Sequence, residues 1–216
     1  MSGTVNDTYR FPNWPSFDLM FEQPAGFRVP PYLMLLNVSE RSRPAVDLLR
    51  TILGRTPQAG RQISAMLSDI NWRPQIVGAA SMALASADEA TLACLWSAFD
   101  LGSWVSPQFA AVASITDPEF ETNARARIEA RCPINSDRLA GTDWLLRHSA
   151  AGPGSINDHS AKALAALLAL CADRPEFAEW LTPIASRDDV RAIIQTDVDD
   201  GGGIAIGWLV EFQALR

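Results

Sequence analysis

A chain of 216 residues that is 48% hydrophobic and 20% charged has the composition of a folded globular protein, not of a disordered segment. Its formal net charge of −7 and pI near 4.8 give no long-range attraction to phosphate, which counts against nucleic-acid and anionic-membrane binding. The longest unbroken apolar run, Ala163 to Ala172, is ten residues, about half of what a bilayer span needs.

The first residues lack the basic and apolar regions of a secretory signal, so a cytoplasmic location is expected. Cys94, Cys132 and Cys171 are odd in number and far apart. They read as reduced, core-packed thiols, not as a disulfide framework.

Residues 1–43 carry Pro12, Pro15, Pro24, Pro30 and Pro31 among Phe11, Trp14, Phe17, Phe21 and Phe27. Proline at that density breaks any long helix, while the aromatics need cover. The segment therefore reads as an extended, Pro- and aromatic-rich arm laid across a helical domain of residues 44–216.

From residue 44 the pattern is helical. The i, i+3, i+4, i+7 stripe of an amphipathic helix recurs at Ile63, Met66, Leu67, Ile70; at Leu92, Leu95, Trp96, Phe99; at Leu164, Leu167, Leu168, Cys171; and at Phe177, Trp180, Leu181, Ile184. Helix starts agree with it. Thr56-Pro57, Ser106-Pro107, Asp117-Pro118 and Thr182-Pro183 place a capping residue before a first-turn proline, and Ser86–Glu89 and Thr116–Glu119 fit the capping box. Helices are predicted near 44–54, 57–69, 73–86, 88–100, 106–115, 118–131, 138–149, 158–172, 175–185, 187–195 and 203–214. A loop over 150–158, "AAGPGSIND", is expected to join two halves.

Two stretches repeat a phrase. "INWRPQIVGAASMAL" (Ile70–Leu84) and "GSWVSPQFAAVASIT" (Gly102–Thr116) each pass from a small residue and Trp through Pro-Gln into an Ala-rich run. Trp72, Trp104, Trp144, Trp180 and Trp208 recur at 28 to 40 residues, the range of helical-hairpin repeats. The expected fold is all-α: an α-solenoid of stacked hairpins, each burying its apolar face against its neighbours. Leu67–Leu84 resembles a HEAT-like repeat, with Asp69 in the inter-helix turn, then Arg73, then Ala79 and Ala80 in an Ala-rich second helix. A second repeat keeps Asp100 but has no Arg after Trp104.

Candidate chemistry is sparse. His148 and His159, with Asp143 and Asp158 nearby, lack metal-ligand spacing. "TDVDDGGG" (Thr196–Gly203) fails as a calcium loop, since Gly201 and Trp208 fall where ligands are required, and "GGGIAIG" is no dinucleotide fingerprint. "GPGS" around Ser155 is not a nucleophile elbow. No cofactor, metal or catalytic residue is expected.

Charge is the more informative feature. Arg41 to Arg73 holds six arginines against Asp47 and Asp69, whereas Asp173 to Asp200 holds eight acids against three arginines. The expected function is non-enzymatic protein binding through the acidic end, with Asp188, Asp189, Asp197, Asp199 and Asp200 as partner-binding residues. Its specific form is a bacterial immunity protein that occludes the active site of a basic toxin domain. The final helix, apolar almost all round, needs cover from the arm or from a second copy in a homodimer. The HEAT-like resemblance also implies an alternative, an alkylpurine DNA glycosylase with Trp, Asp and Arg around a damaged base, or a scaffold or lyase of the same fold.

Overall fold

The computed structural model describes residues 14–85, 88–130, 155–172, 174–195, 197 and 199–215, and they form an all-helical protein. The predicted helix near 138–149, Trp144, Cys132, His148 and Asp143 lie outside the described residues, as do the side chains of Asp158 and His159.

The arm is not simply extended. It folds into short turns, α1 (Asp18–Phe21) and α2 (Pro31–Met34), with 3-10 turns at Pro15–Phe17 and Glu40–Ser42. Proline at the first position of a helical turn loses no hydrogen bond, so Pro15 and Pro31 start turns here. Trp14, Phe17, Met20 and Leu35 are buried, and Ser16 exchanges hydrogen bonds with Gln62 at 3.2 and 3.0 Å.

Next come α3 (Arg43–Arg55), α4 (Ala59–Leu67), α5 (Trp72–Leu84), α6 (Glu89–Asp100), α7 (Ser106–Thr116) and α8 (Phe120–Glu129). α4 starts two residues later than expected because Gln58 takes a left-handed φ of 57°. It ends at Leu67, so Ile70 leaves the stripe and lies in the turn, 53% exposed. Asn71 caps α5 by accepting from the Arg73 N–H at 3.0 Å. Asp88 caps α6 through the Thr91 N–H at 2.8 Å.

The described chain resumes with α9 (Ser155–Ala172), which takes in the last four residues of the loop expected over 150–158, followed by α10 (Ala178–Ala185), α11 (Asp188–Gln195) and α12 (Gly201–Leu215). Among the described residues no helix is long and apolar enough to cross a membrane.

α4 packs on α5 and α6 on α7; α4 also packs on α6, and α5 on α7. α7 continues onto α9, and α12 lies against α5, α7 and α9. That placement explains the Ala-rich phrases: Pro74–Ala83 and Ser106–Ala113 are buried without interruption, as helices apolar on every side must be. The phrase's glutamines tie the turns together. Gln75 donates to the Asp69 carbonyl at 2.6 Å and accepts from the Ser103 hydroxyl at 2.5 Å. Gln108 donates to the Leu36 carbonyl of the arm at 3.0 Å, and the Trp208 indole reaches the same oxygen at 3.4 Å.

α12 is thus covered by the helices and the arm on one side. Its other side is open, with Val210 58% exposed. Arg50 donates to the Leu215 carbonyl at its far end.

Two glycines of α12 differ in their surroundings. A Cβ on Gly201 would collide with the Lys162 carbonyl and come within 2.7 Å of its Cγ, whereas one on Gly207 would meet nothing within 4 Å. Gly201→Ala is expected to cost roughly 1–3 kcal/mol by overpacking, and Gly207→Ala to gain about 0.5–1 kcal/mol by helix propensity. Urea unfolding of the two variants checks the opposite signs.

Candidate functional site

α6 and α8 enclose an open groove of about 790 Å³, closed at one side by the α7–α8 turn. Glu89, Leu92, Ala93, Trp96 and Asp100 lie at helical spacing along α6 and line one wall, while Asn123 and Arg127 line the other from α8. Thr116, Asp117, Pro118 and Glu119 complete it. Four carboxylates face a single guanidinium.

The interior of the groove is built from side chains fixed by one another. Asp100 accepts both arms of the Arg127 fork at 2.7 and 2.8 Å, the bidentate arrangement that a planar guanidinium favours. The guanidinium also sits 4.0 Å from the Trp96 ring centroid. Trp96 donates its indole N–H to Asp117 at 2.7 Å, and Asn123 donates to the same oxygen at 2.9 Å. The other Asp117 oxygen accepts from the Glu119 N–H at 2.8 Å. Burial pushes the Asp100 carboxyl above its ordinary range, with Arg127 pulling the other way. Glu89 and Glu119 stand exposed beside this set.

The acids picked out in the sequence are placed differently. Asp197 accepts from the Gly201 N–H at 2.7 Å, and Asp200, at φ 54°, accepts from the Gly203 N–H at 3.0 Å. Asp199 pairs with Lys162 at 3.2 Å. The structure brings these three together at the start of α12, where they anchor that helix. Asp188 lies apart on α11, fully exposed and 3.2 Å from Arg191, and the Asp189 side chain lies outside the described residues. Asp69 and Arg73 of the HEAT-like phrase do not pair: Asp69 accepts from the Asn71 N–H at 2.7 Å, and Arg73 donates to the Tyr32 hydroxyl at 3.2 Å.

Cys171 is buried in α9, its thiol pushed up to about 12 by desolvation, and Cys94 is half-buried. Among the described residues no three His, Cys, Asp or Glu side chains converge as a metal site. The groove lining contains no His, Cys or Lys.

Sequence reasoning passed over the groove. Asp100 stands in the sequence as the turn residue of an expected second repeat, but it ends α6, and its partner Arg127 lies 27 positions on, at no spacing a motif encodes. The available signal is Trp96 and Asp100, four apart on one helix and hence on one face.

No protein-family model matches the chain, and no curated protein or solved structure matches it significantly.

The Asp100–Arg127 pair has a measurable consequence. Arg127→Met removes the cation that opposes burial, so the Asp100 carboxyl is expected to titrate at higher pH than in the parent protein. Stability is expected to fall by roughly 1–3 kcal/mol. Because a raised carboxyl disfavours the ionised fold, that loss grows as pH rises through the Asp100 titration and is smallest in acid. NMR titration of the carboxyl carbon, with urea unfolding at two pH values, checks both.

Proposed function

We propose that the protein is a non-enzymatic binder of a basic protein segment, held in the groove between α6 and α8. The carrying observation is that groove: four carboxylates set among Leu92, Ala93, Leu101 and Pro118, facing one arginine already neutralised by Asp100. A cationic side chain entering it finds exposed Glu89 and Glu119 without displacing the internal pair. Charge of one sign in a concave site speeds encounter with the opposite sign and selects the partner. Since Asp197, Asp199 and Asp200 are engaged within the chain, the groove acids take the leading role in this reading.

The narrower form is an immunity protein covering the active site of a basic toxin domain, and small size and acidity support it. Free thiols at Cys94 and Cys171 suit the cytoplasm of a bacterium. We read the α4–α5 and α6–α7 hairpins, packed first helix on first and second on second, as a short HEAT-like array. In this reading the open side of α12 is where a homodimer would form.

One observation favours a second reading. Trp96, Asp100 and Arg127 meet in the groove, the residue types that the glycosylase resemblance implies. The carboxylate excess sets the field there against a phosphate backbone, so the protein-binding reading ranks first.

The test is titration of a labelled nona-arginine peptide at low and moderate salt. Glu89→Gln with Glu119→Gln is expected to weaken binding by at least several-fold, while the charge-matched control Asp188→Asn with Glu179→Gln leaves it unchanged. Equal loss in both pairs would reduce the interaction to net charge and overturn the groove assignment. Retention on duplex DNA that falls with added salt would favour the second reading.

A further inference from the structure

The open side of α12 is used by neither the groove nor the core. Gly203, Gly207, Val210 and Ala214 are all exposed and follow one another at spacings of four, three and four, so they form one stripe of the helix. The stripe carries no charge, and Ile206 lies half-buried along its edge. Val210 stands out from it, 58% exposed. One turn away the surface is indented, because the space a Cβ would fill at Gly207 is empty to 4 Å.

The two glycines of the stripe have different reasons. A Cβ on Gly203 would collide with the Asp200 carboxylate that accepts from the Gly203 N–H. Among the described residues nothing excludes a Cβ at Gly207, and glycine in a helix interior is unfavourable by itself. The chain thus keeps a hole beside a knob that its own packing does not require. The ends of α12 differ in charge. Asp200 stands exposed at the start. At the far end Arg50 donates to the Leu215 carbonyl, is 43% exposed and lies 3.8 Å from Asp47, with donors of its fork still free.

Spacings of four, three and four read the same in either direction. A second copy laid antiparallel across a two-fold axis therefore sets Val210 opposite Gly207 in both central layers, and Gly203 opposite Ala214 in both outer ones. Each knob then enters a hole. The same reversal brings Asp200 of one copy to about 3 Å along the axis from the level of Leu215 in the other, where Arg50 is held. A parallel pair would instead set Val210 on Val210 and bring like charges together at both ends. We propose that two copies of the chain pair through this stripe as an antiparallel helix pair, each Val210 filling the hole over Gly207 of the other copy and each Asp200 facing Arg50. This rests on the homodimer reading given above and adds its orientation and register. α12 is about 22 Å long, so the contact is smaller than a standard interface and the pair exchanges with monomer as concentration falls. None of the stripe's residues lines the groove.

The test combines sedimentation equilibrium with thiol cross-linking of the full chain. The parent protein is expected to pass reversibly from monomer to dimer as its concentration rises. Gly207→Val has room in the single chain but puts two valines in each central layer, and is expected to weaken pairing at least tenfold although it adds apolar surface. Adding Val210→Gly to it exchanges knob and hole, and is expected to restore pairing to within a few-fold of the parent. Under mild oxidation Val210→Cys is expected to join its own copy beyond the parent's background, the two sites lying about 4.5 Å apart along the axis. Ala214→Cys, whose two sites are about 16 Å apart along the axis, is expected not to join, since a disulfide cannot span that distance. A chain that stays monomeric at every concentration overturns the homodimer reading and this interface with it. A dimer in which Gly207→Val pairs as tightly as the parent, or in which Ala214→Cys joins as readily as Val210→Cys, keeps the homodimer reading and overturns the interface alone.

Discussion

The fold depends on a requirement for cover: α5 and α7 are apolar on every side, and a helix of that kind is stable in water only when neighbours surround it. α5 meets α3, α4, α7 and α12; α7 meets α5, α6, α9 and α12. Small residues make the close approaches feasible. A Cβ on Gly78 of α5 would lie 3.1 Å from Leu67 of α4, and Ala79, Ala80, Ala110 and Ala111 are wholly buried. Several polar groups carried into this interior are matched: Ser81 donates to the Val77 carbonyl at 2.7 Å, and the Gln75 and Gln108 amide N–H groups reach backbone carbonyls of other segments, although the Gln108 Oε1 is buried with no partner among the described residues. An unmatched amide there would cost more than the bond itself contributes. The arm and α12 are integral to this arrangement, since each supplies cover that the hairpins alone leave incomplete.

The groove follows from the same division of labour. With the central helices fully enclosed, α6 and α8 need bury only one face each, and their remaining surfaces are free to be polar. They meet through Trp96, Phe120, Asp100 and Arg127. A guanidinium held between a ring face and a carboxylate is fixed in place, so the wall that faces solvent is preorganised and its geometry would change little on binding.

Much of the architecture was legible in the residues because it was written locally. Stripes at 3.6-residue spacing act within one or two turns of themselves, and the corresponding helices lie close to their predicted positions. The predicted starts were less accurate, since Asp88 caps α6 two residues after the expected Ser86, and of the four proline signals only Pro107 falls in a first turn, with Pro183 inside α10. What was not legible depended on backbone detail or on contacts distant in sequence. The left-handed Gln58 delays α4, and the early end of that helix releases Ile70 from the stripe. A string of acids before three glycines looks like an exposed binding edge, yet Asp197 and Asp200 turn back to cap the next helix and Asp199 finds Lys162, 37 positions earlier. The pairing of Asp100 with Arg127 is likewise a product of packing, and no local pattern announces it.

Lys162 is the single lysine of the chain, and its ammonium is enclosed by Trp104, Asp199 and the start of α12. Arginine, charged at all ordinary pH values, carries the rest of the basic surface. The protein therefore presents almost no side-chain primary amine to its surroundings. Lysine acylation, reductive methylation of lysine, lysine-directed cross-linking and isopeptide tagging all require such an amine in contact with solvent. To each of these chemistries the described surface is close to inert.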